Sequence, residues 1–124
     1  MKYLQGDLLK VNNQIVKVDS VGVYLITKNQ YVEAHAINGN NQNILRYNKD
    51  EMEPIDLTSE ILINNGWILT DDEIGTNKFY FHTNHVFLIP YKDKFIYHSE
   101  TSIKYVHELQ HLLFGLKKNS TITL

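Results

Sequence analysis

Apolar and polar residues alternate through much of the first fifty positions, and the alternation is interrupted by short polar turns. Residues 7–11 and 14–19 show it on either side of Asn12-Asn13, the signature of a two-residue β-hairpin. Leu9 and Val11 on one arm, with Ile15 or Val16 and Val18 on the other, supply its inward face. The β-branched run over 21–27 predicts a third strand, 31–37 a fourth, and 44–47 a fifth beyond the Asn38-Gly39 turn. Five short strands with tight turns predict a small antiparallel β-barrel of the SH3-like kind over residues 1–53. Such barrels close their own edges and carry function on loops.

Lys49-Asp50-Glu51-Met52-Glu53-Pro54 is charged and ends in proline. Beyond it the pattern turns helical, so residues 54–124 form a second, α+β region. Thr58 is suited to cap a short helix over 59–65, with Glu60 in its first turn, Ile61 and Leu62 facing inward and Gly66 as its stop. Three strands, over 78–83, 85–90 and 94–98, make an antiparallel meander. The strongest helical pattern follows: Ile103, Val106, Leu109, Leu113 and Leu116 recur at three- and four-residue spacing. Ser99, Thr101 or Ser102 would cap this helix, Val106, Leu109 and Leu113 would pack it on the meander, and Lys104, His107, Glu108 and His111 would share its wet face. A last short strand is expected over 121–124.

Composition narrows what this α+β chain can do. It has 124 residues, 43% hydrophobic and 21% charged, which excludes collagen-like and disordered classes. The net charge is −2, and each region balances its own charges, six basic against six acidic residues and then six against eight. Nucleic-acid binding is therefore disfavoured, because no basic field is available to hold phosphates. The absence of cysteine removes disulfides, thiolate nucleophiles and thiolate metal sites. No signal-peptide pattern and no membrane-length apolar run occur, so a cytoplasmic protein is expected.

One motif carries candidate chemistry. His107-Glu108-Leu109-Gln110-His111 spells H-E-x-x-H on a predicted helix, where two histidines at i and i+4 could share zinc while Glu108 served as general base. A third protein ligand is required. Phe114 stands where one extended form of the motif needs glycine, no histidine follows His111, and thirteen residues remain for any later ligand. His82, His85 and His98 are the upstream candidates. The alternative is an amphipathic helix with histidines on its solvated side and no metal.

The isolated glycines make neither a G-x-G-x-x-G turn nor a P-loop, and no G-x-S-x-G elbow is present. Asp71-Asp72-Glu73 reads as a solvated turn. Eight tyrosines are present, and Tyr24, Tyr31 and Tyr47, with Lys17, Lys28 and Arg46, could form an aromatic and basic surface for a peptide or a single strand. Their alternative is to fill half-buried strand positions.

Pro54-Ile55-Asp56-Leu57-Thr58-Ser59-Glu60-Ile61-Leu62, then Asn65-Gly66-Trp67, and the segment from Ile103 through His107, Gln110 and Phe114 to Leu116 carry a resemblance. The chain looks like a group of small uncharacterised proteins of Bacteroidota bacteria and their phages or prophages. Their pattern runs I-x-L-T-x-E-I-L-x-x-x-G-F and ends Y-V-H-x-L-Q-N-L-Y-F-A-L-T-G. The resemblance brings no known activity with it. The pattern places glutamine at Glu108 and asparagine at His111, and keeps His107 and Gln110, which the resemblance marks as partner-contacting or turn-satisfying groups.

These readings combine into a non-enzymatic binding or adaptor protein with no cofactor and an unidentified protein partner. The resemblance implies a phage- or mobile-element-encoded accessory factor. Two rivals stay open: a zinc-dependent hydrolase using His107, Glu108 and His111, and a small-ligand or nucleotide sponge.

Overall fold

The computed structural model describes residues 2–38, 43–71, 77–81, 86–98 and 101–124. The fold is α+β, with two five-stranded antiparallel sheets and two α-helices. It divides into two compact units, Met1–Ile55 and Asp56–Leu124. The division falls just beyond Pro54, because Glu53 and Pro54 pair with Lys10 and Leu9 in the first sheet.

The first unit contains β1 (Leu8–Val11), β2 (Gln14–Val23), β3 (Gln30–Ala36), β4 (Leu45–Asn48) and β5 (Glu53–Pro54), in the spatial order β4-β3-β2-β1-β5. Asn12 and Asn13 turn β1 into β2 with φ of 51° and 62°. Two consecutive left-handed residues are what a twist-matched hairpin turn demands, and asparagine tolerates that conformation. The separate strand expected over 21–27 does not form. Instead, β2 runs unbroken to Val23, its register with β3 shifting between Val18 and Ser20. An extra residue at such a bulge bends a strand without ending it.

The bend coincides with the loss of one neighbour. The Val18 N–H donates to the Asp7 carbonyl at 2.9 Å, and the Gly6 N–H donates to the Val18 carbonyl at 2.8 Å. There the chain preceding β1 turns away through Gly6, whose φ of 91° suits glycine. The Asp7 carboxylate holds this turn by accepting the Leu4 N–H at 2.8 Å. Beneath the sheet lies a core of Tyr3, Leu9, Val11, Val16, Val18, Val32, Ala34 and Met52. A single 3-10 turn, Lys49–Glu51, leads into β5, with Glu51 accepting the Asn48 N–H at 3.0 Å.

In the second unit, α1 (Ser59–Asn64) is capped as its sequence predicts, the Ile61 N–H donating to the Thr58 hydroxyl at 3.2 Å. The meander has five strands rather than three: β6 (Trp67–Asp71), β7 (Asn77–Phe81), β8 (Val86–Tyr91), β9 (Lys94–Tyr97) and β10 (Thr101–Ile103), neighbours in space as in sequence. Thr101 and Ser102, expected as helix caps, pair with Tyr97 and Ile96 in the sheet. Ile103 is buried as a strand residue, and α2 (Val106–Gly115) starts three residues later than its apolar spacing implies. The spacing misleads because one strand residue falls in phase with the helix that follows.

Val106, Leu109 and Leu113 are all buried on α2. The expected strand over 121–124 is absent; side chains pin that segment instead. Asn65 donates from Nδ2 to the Thr123 carbonyl and accepts the Thr123 N–H at Oδ1, both at 2.7 Å, so an amide side chain imitates a strand partner. The same Nδ2 also donates to the Ile61 carbonyl at 2.8 Å.

Leu109→Ala removes a side chain with no exposed surface and should lower unfolding free energy by about 2–5 kcal/mol, as a shift of the urea midpoint. Asn65→Ala should lose the protection of the Thr123 amide against hydrogen exchange while leaving that midpoint far less affected.

Candidate functional site

The most unusual surface of the first unit is the hairpin joining β2 to β3. The Tyr24 N–H donates to the Asn29 carbonyl and the Lys28 N–H to the Tyr24 carbonyl, each at 2.9 Å. The Asn29 N–H adds a bond to the Thr27 hydroxyl at 3.2 Å, and Lys28 takes the left-handed conformation, φ 63°. The loop is thus held by its own backbone. It presents Leu25 and Ile26, which are 87% and 95% exposed. A solitary exposed aliphatic residue needs no explanation, but two adjacent ones on a hydrogen-bonded tip do.

At the base of this tip the Tyr24 and Tyr31 rings meet at 4.9 Å between centroids. The Arg46 guanidinium lies 4.1 Å from the centre of Tyr31 and 5.7 Å from that of Tyr24. Strand pairing brings them together: Tyr31 is opposite Gly22, and Arg46 is opposite Glu33, which it contacts at 3.3 Å. Desolvation pulls the Arg46 pKa down, but a hydrogen bond to Tyr24 and the charge of Glu33 outweigh it, and the pKa is raised. Gly22 is required by close approach, since a Cβ there would lie 2.4 Å from the Tyr31 ring.

Of the expected surface, Tyr24, Tyr31 and Arg46 come together. Tyr47 does not join them: it pairs with the buried Val32 and packs against the core from the other face of the sheet. The period of two separates Tyr47 from Arg46, a consequence readable once β4 is aligned with β3. Leu25 and Ile26 were assigned to a strand by the sequence pattern. Their clue was the short distance to Lys28-Asn29, where a tight hairpin competes with strand continuation.

The H-E-x-x-H residues do different work from the wet helix face expected of them. His107 and Gln110 are both buried, 1% and 6% exposed, so neither presents a contact surface. The His107 ring stacks on Tyr105 at 5.9 Å and meets the His111 ring edge-on at 5.5 Å. Gln110 donates to the Ser120 carbonyl at 3.5 Å. Glu108 accepts the N–H groups of both Lys104 and Tyr105 at one oxygen, 2.9 Å each. This is the third-residue half of a helix capping box, in which the carboxylate satisfies amides that precede the helix. Among the described residues no group of three or more histidine and carboxylate side chains is placed to hold a metal. His98 follows β9, its ring 4.2 Å from Tyr97; His82 and His85, and Asp72 and Glu73 of the acidic turn, lie outside the described residues.

The chain matches no protein-family model, and no curated protein or solved structure is similar to it. No helix among the described residues is long and apolar enough to cross a membrane.

Glu108→Ala should cost about 1 kcal/mol of stability by removing the cap, whereas Glu108→Gln should cost a few tenths, because glutamine serves the same position. Comparing the two melting curves separates a capping residue from a general base. Gly22→Ala should displace the Tyr31 ring from Arg46, read as loss of ring-current shifts on the arginine side chain. Its stability should change by less than about 1 kcal/mol, since alanine recovers strand entropy that glycine forfeits.

Proposed function

We propose that this is a non-enzymatic binding protein whose first unit docks a protein partner through the β2–β3 hairpin. The observation that carries the reading is the tip itself, where Leu25 and Ile26 project from a loop fixed by hydrogen bonds. Fixing the loop lowers the entropy lost on docking. Beside it stand two tyrosines and an arginine, residue types that dominate binding energy at interfaces because they combine large area with a polar handle. The net charge of −2 favours a protein over a nucleic acid.

We further propose that the first unit is an SH3-like small barrel. The order β4-β3-β2-β1-β5, a long bent β2 serving both ends of the sheet and a 3-10 turn before β5 support that reading. The resemblance to small Bacteroidota and phage proteins supports a cytoplasmic accessory role, with a phage or host protein as partner. The rival zinc hydrolase loses its general base to the capping of α2.

The test is a paired comparison. Leu25→Ser with Ile26→Ser should shift the melting temperature by no more than about 2 °C, because neither side chain is buried. The same variant should lose at least about tenfold in retention of a partner captured by the wild-type protein. Phe114→Ser on α2, 73% exposed in the wild type, is the control and should retain the partner. Equal retention by all three proteins overturns the hairpin reading.

A further inference from the structure

The bend in β2 leaves half of a sheet edge unused. Up to Val18 the strand is paired on both sides, by β1 and β3. Beyond the bulge it is paired with β3 alone. The Tyr24 N–H bonds to Asn29 across the hairpin, and antiparallel pairs alternate between bonded and non-bonded positions. Counting back from Tyr24, Gly22 and Ser20 direct their backbone groups toward β3, and Val21 and Val23 direct theirs away from it. Among the described residues no backbone bond is made to Val21 or Val23 from that outer side. The turn through Gly6 and Asp7 is what carries the preceding chain off this edge.

A groove of about 530 Å³ runs beside the same edge. Its lining includes Val21, Val23, Val32 and Tyr3, with Gln30 and Tyr31, and two lysines, Lys2 and Lys49. Val21 and Val23 stay 47% and 51% exposed although Val32, the strand partner of Val21, is buried, so the groove interrupts the cover over the core face. Among the described residues no carboxylate lines it. Asp50 and Glu51 line a polar hollow that shares Gln30 and Lys49 with the groove, and Glu51 is engaged with the Asn48 N–H.

We propose that this edge and groove receive an extended acidic peptide segment of a partner protein, added as a strand beside β2. Outward backbone groups at Val21 and Val23 supply main-chain pairing, while the alternate apolar side chains of the added strand enter the groove. Lys2 and Lys49 select carboxylates flanking that apolar pair. A second copy of this chain is a poorer occupant. Pairing β2 edge to edge with itself would set the groove lysines of two copies against each other. The site extends the binding reading above but rests on other atoms than Leu25 and Ile26, and each can fail without the other.

The test uses the full chain labelled with ¹⁵N and three blocked synthetic peptides: EVTVTVE, its lysine-flanked counterpart KVTVTVK, and EVTVTVE N-methylated at alternate backbone positions. The first should slow hydrogen exchange of the Val21 and Val23 amides and shift their resonances. It should bind at least about tenfold more tightly than the lysine peptide, and the methylated peptide should not protect these amides. Lys49→Glu should narrow or reverse that charge preference, and Leu25→Ser with Ile26→Ser should leave it unchanged. Equal binding of the acidic and basic peptides, or binding without protection of Val21 and Val23, overturns the proposal. Protection that grows with protein concentration in the absence of peptide also overturns it, assigning the edge to self-association.

Discussion

The first unit is organised by the requirement that backbone groups in a sheet find partners, and β2 is where that requirement changes along one strand. Its first half has neighbours on both sides, and its second half has one. The change is enforced from two directions. The bulge between Val18 and Ser20 re-aims the strand, and the buried Asp7 carboxylate fixes the turn that carries the preceding chain away. Without these devices, the residues before β1 would continue alongside Ser20 to Val23. The hairpin could still form, but the edge beside it would be covered.

The same accounting of backbone groups explains α2. A helix begins with amides that have no partner inside it, and nearby side chains often supply one. Here Glu108 reaches back to Lys104 and Tyr105, just where β10 hands the chain to the helix. The cap satisfies a strand-to-helix junction of only two residues, Lys104 and Tyr105. That role accounts for a glutamate three residues into the helix without any reference to the histidines beside it. His107 is accounted for differently, as a buried ring between Tyr105 and His111. A string of letters that suggests one metal site thus divides into a cap and an aromatic stack.

Much of the fold was legible where local chemistry and tertiary structure ask for the same thing. Asn12-Asn13 specifies its turn, Thr58 its cap, and the alternation around Leu9, Val11, Val16 and Val18 a buried face. The misreadings occur where two signals compete. Residues 21–27 are β-branched enough for a strand, yet a hairpin closing at Tyr24 and Asn29 takes half of them. Ile103 keeps helical phase with Val106 but belongs to β10. The proposed binding surface was half legible: Tyr24, Tyr31 and Arg46 could be nominated by type, but placing Tyr47 on the opposite face required the register. The open edge was not legible at all, because it depends on where β1 stops accompanying β2.

Catalysis and binding make opposite demands on exposed apolar surface, and this is the firmest physical ground for choosing between them here. A hydrolytic site concentrates its specialised groups in a concave, water-excluding place and orients each one by a second partner. In this chain the candidate base is spent on a helix end, while apolar side chains are displayed on a convex tip. Water contact with Leu25 and Ile26 is unfavourable, and the described residues leave the two side chains 87% and 95% exposed. The loop nonetheless holds them in one conformation through three backbone-directed bonds. A flexible loop could fold such residues back onto the sheet. Rigidity that keeps them in water is the physical ground for the proposed docking surface, since a partner that covered the tip would remove both side chains from water.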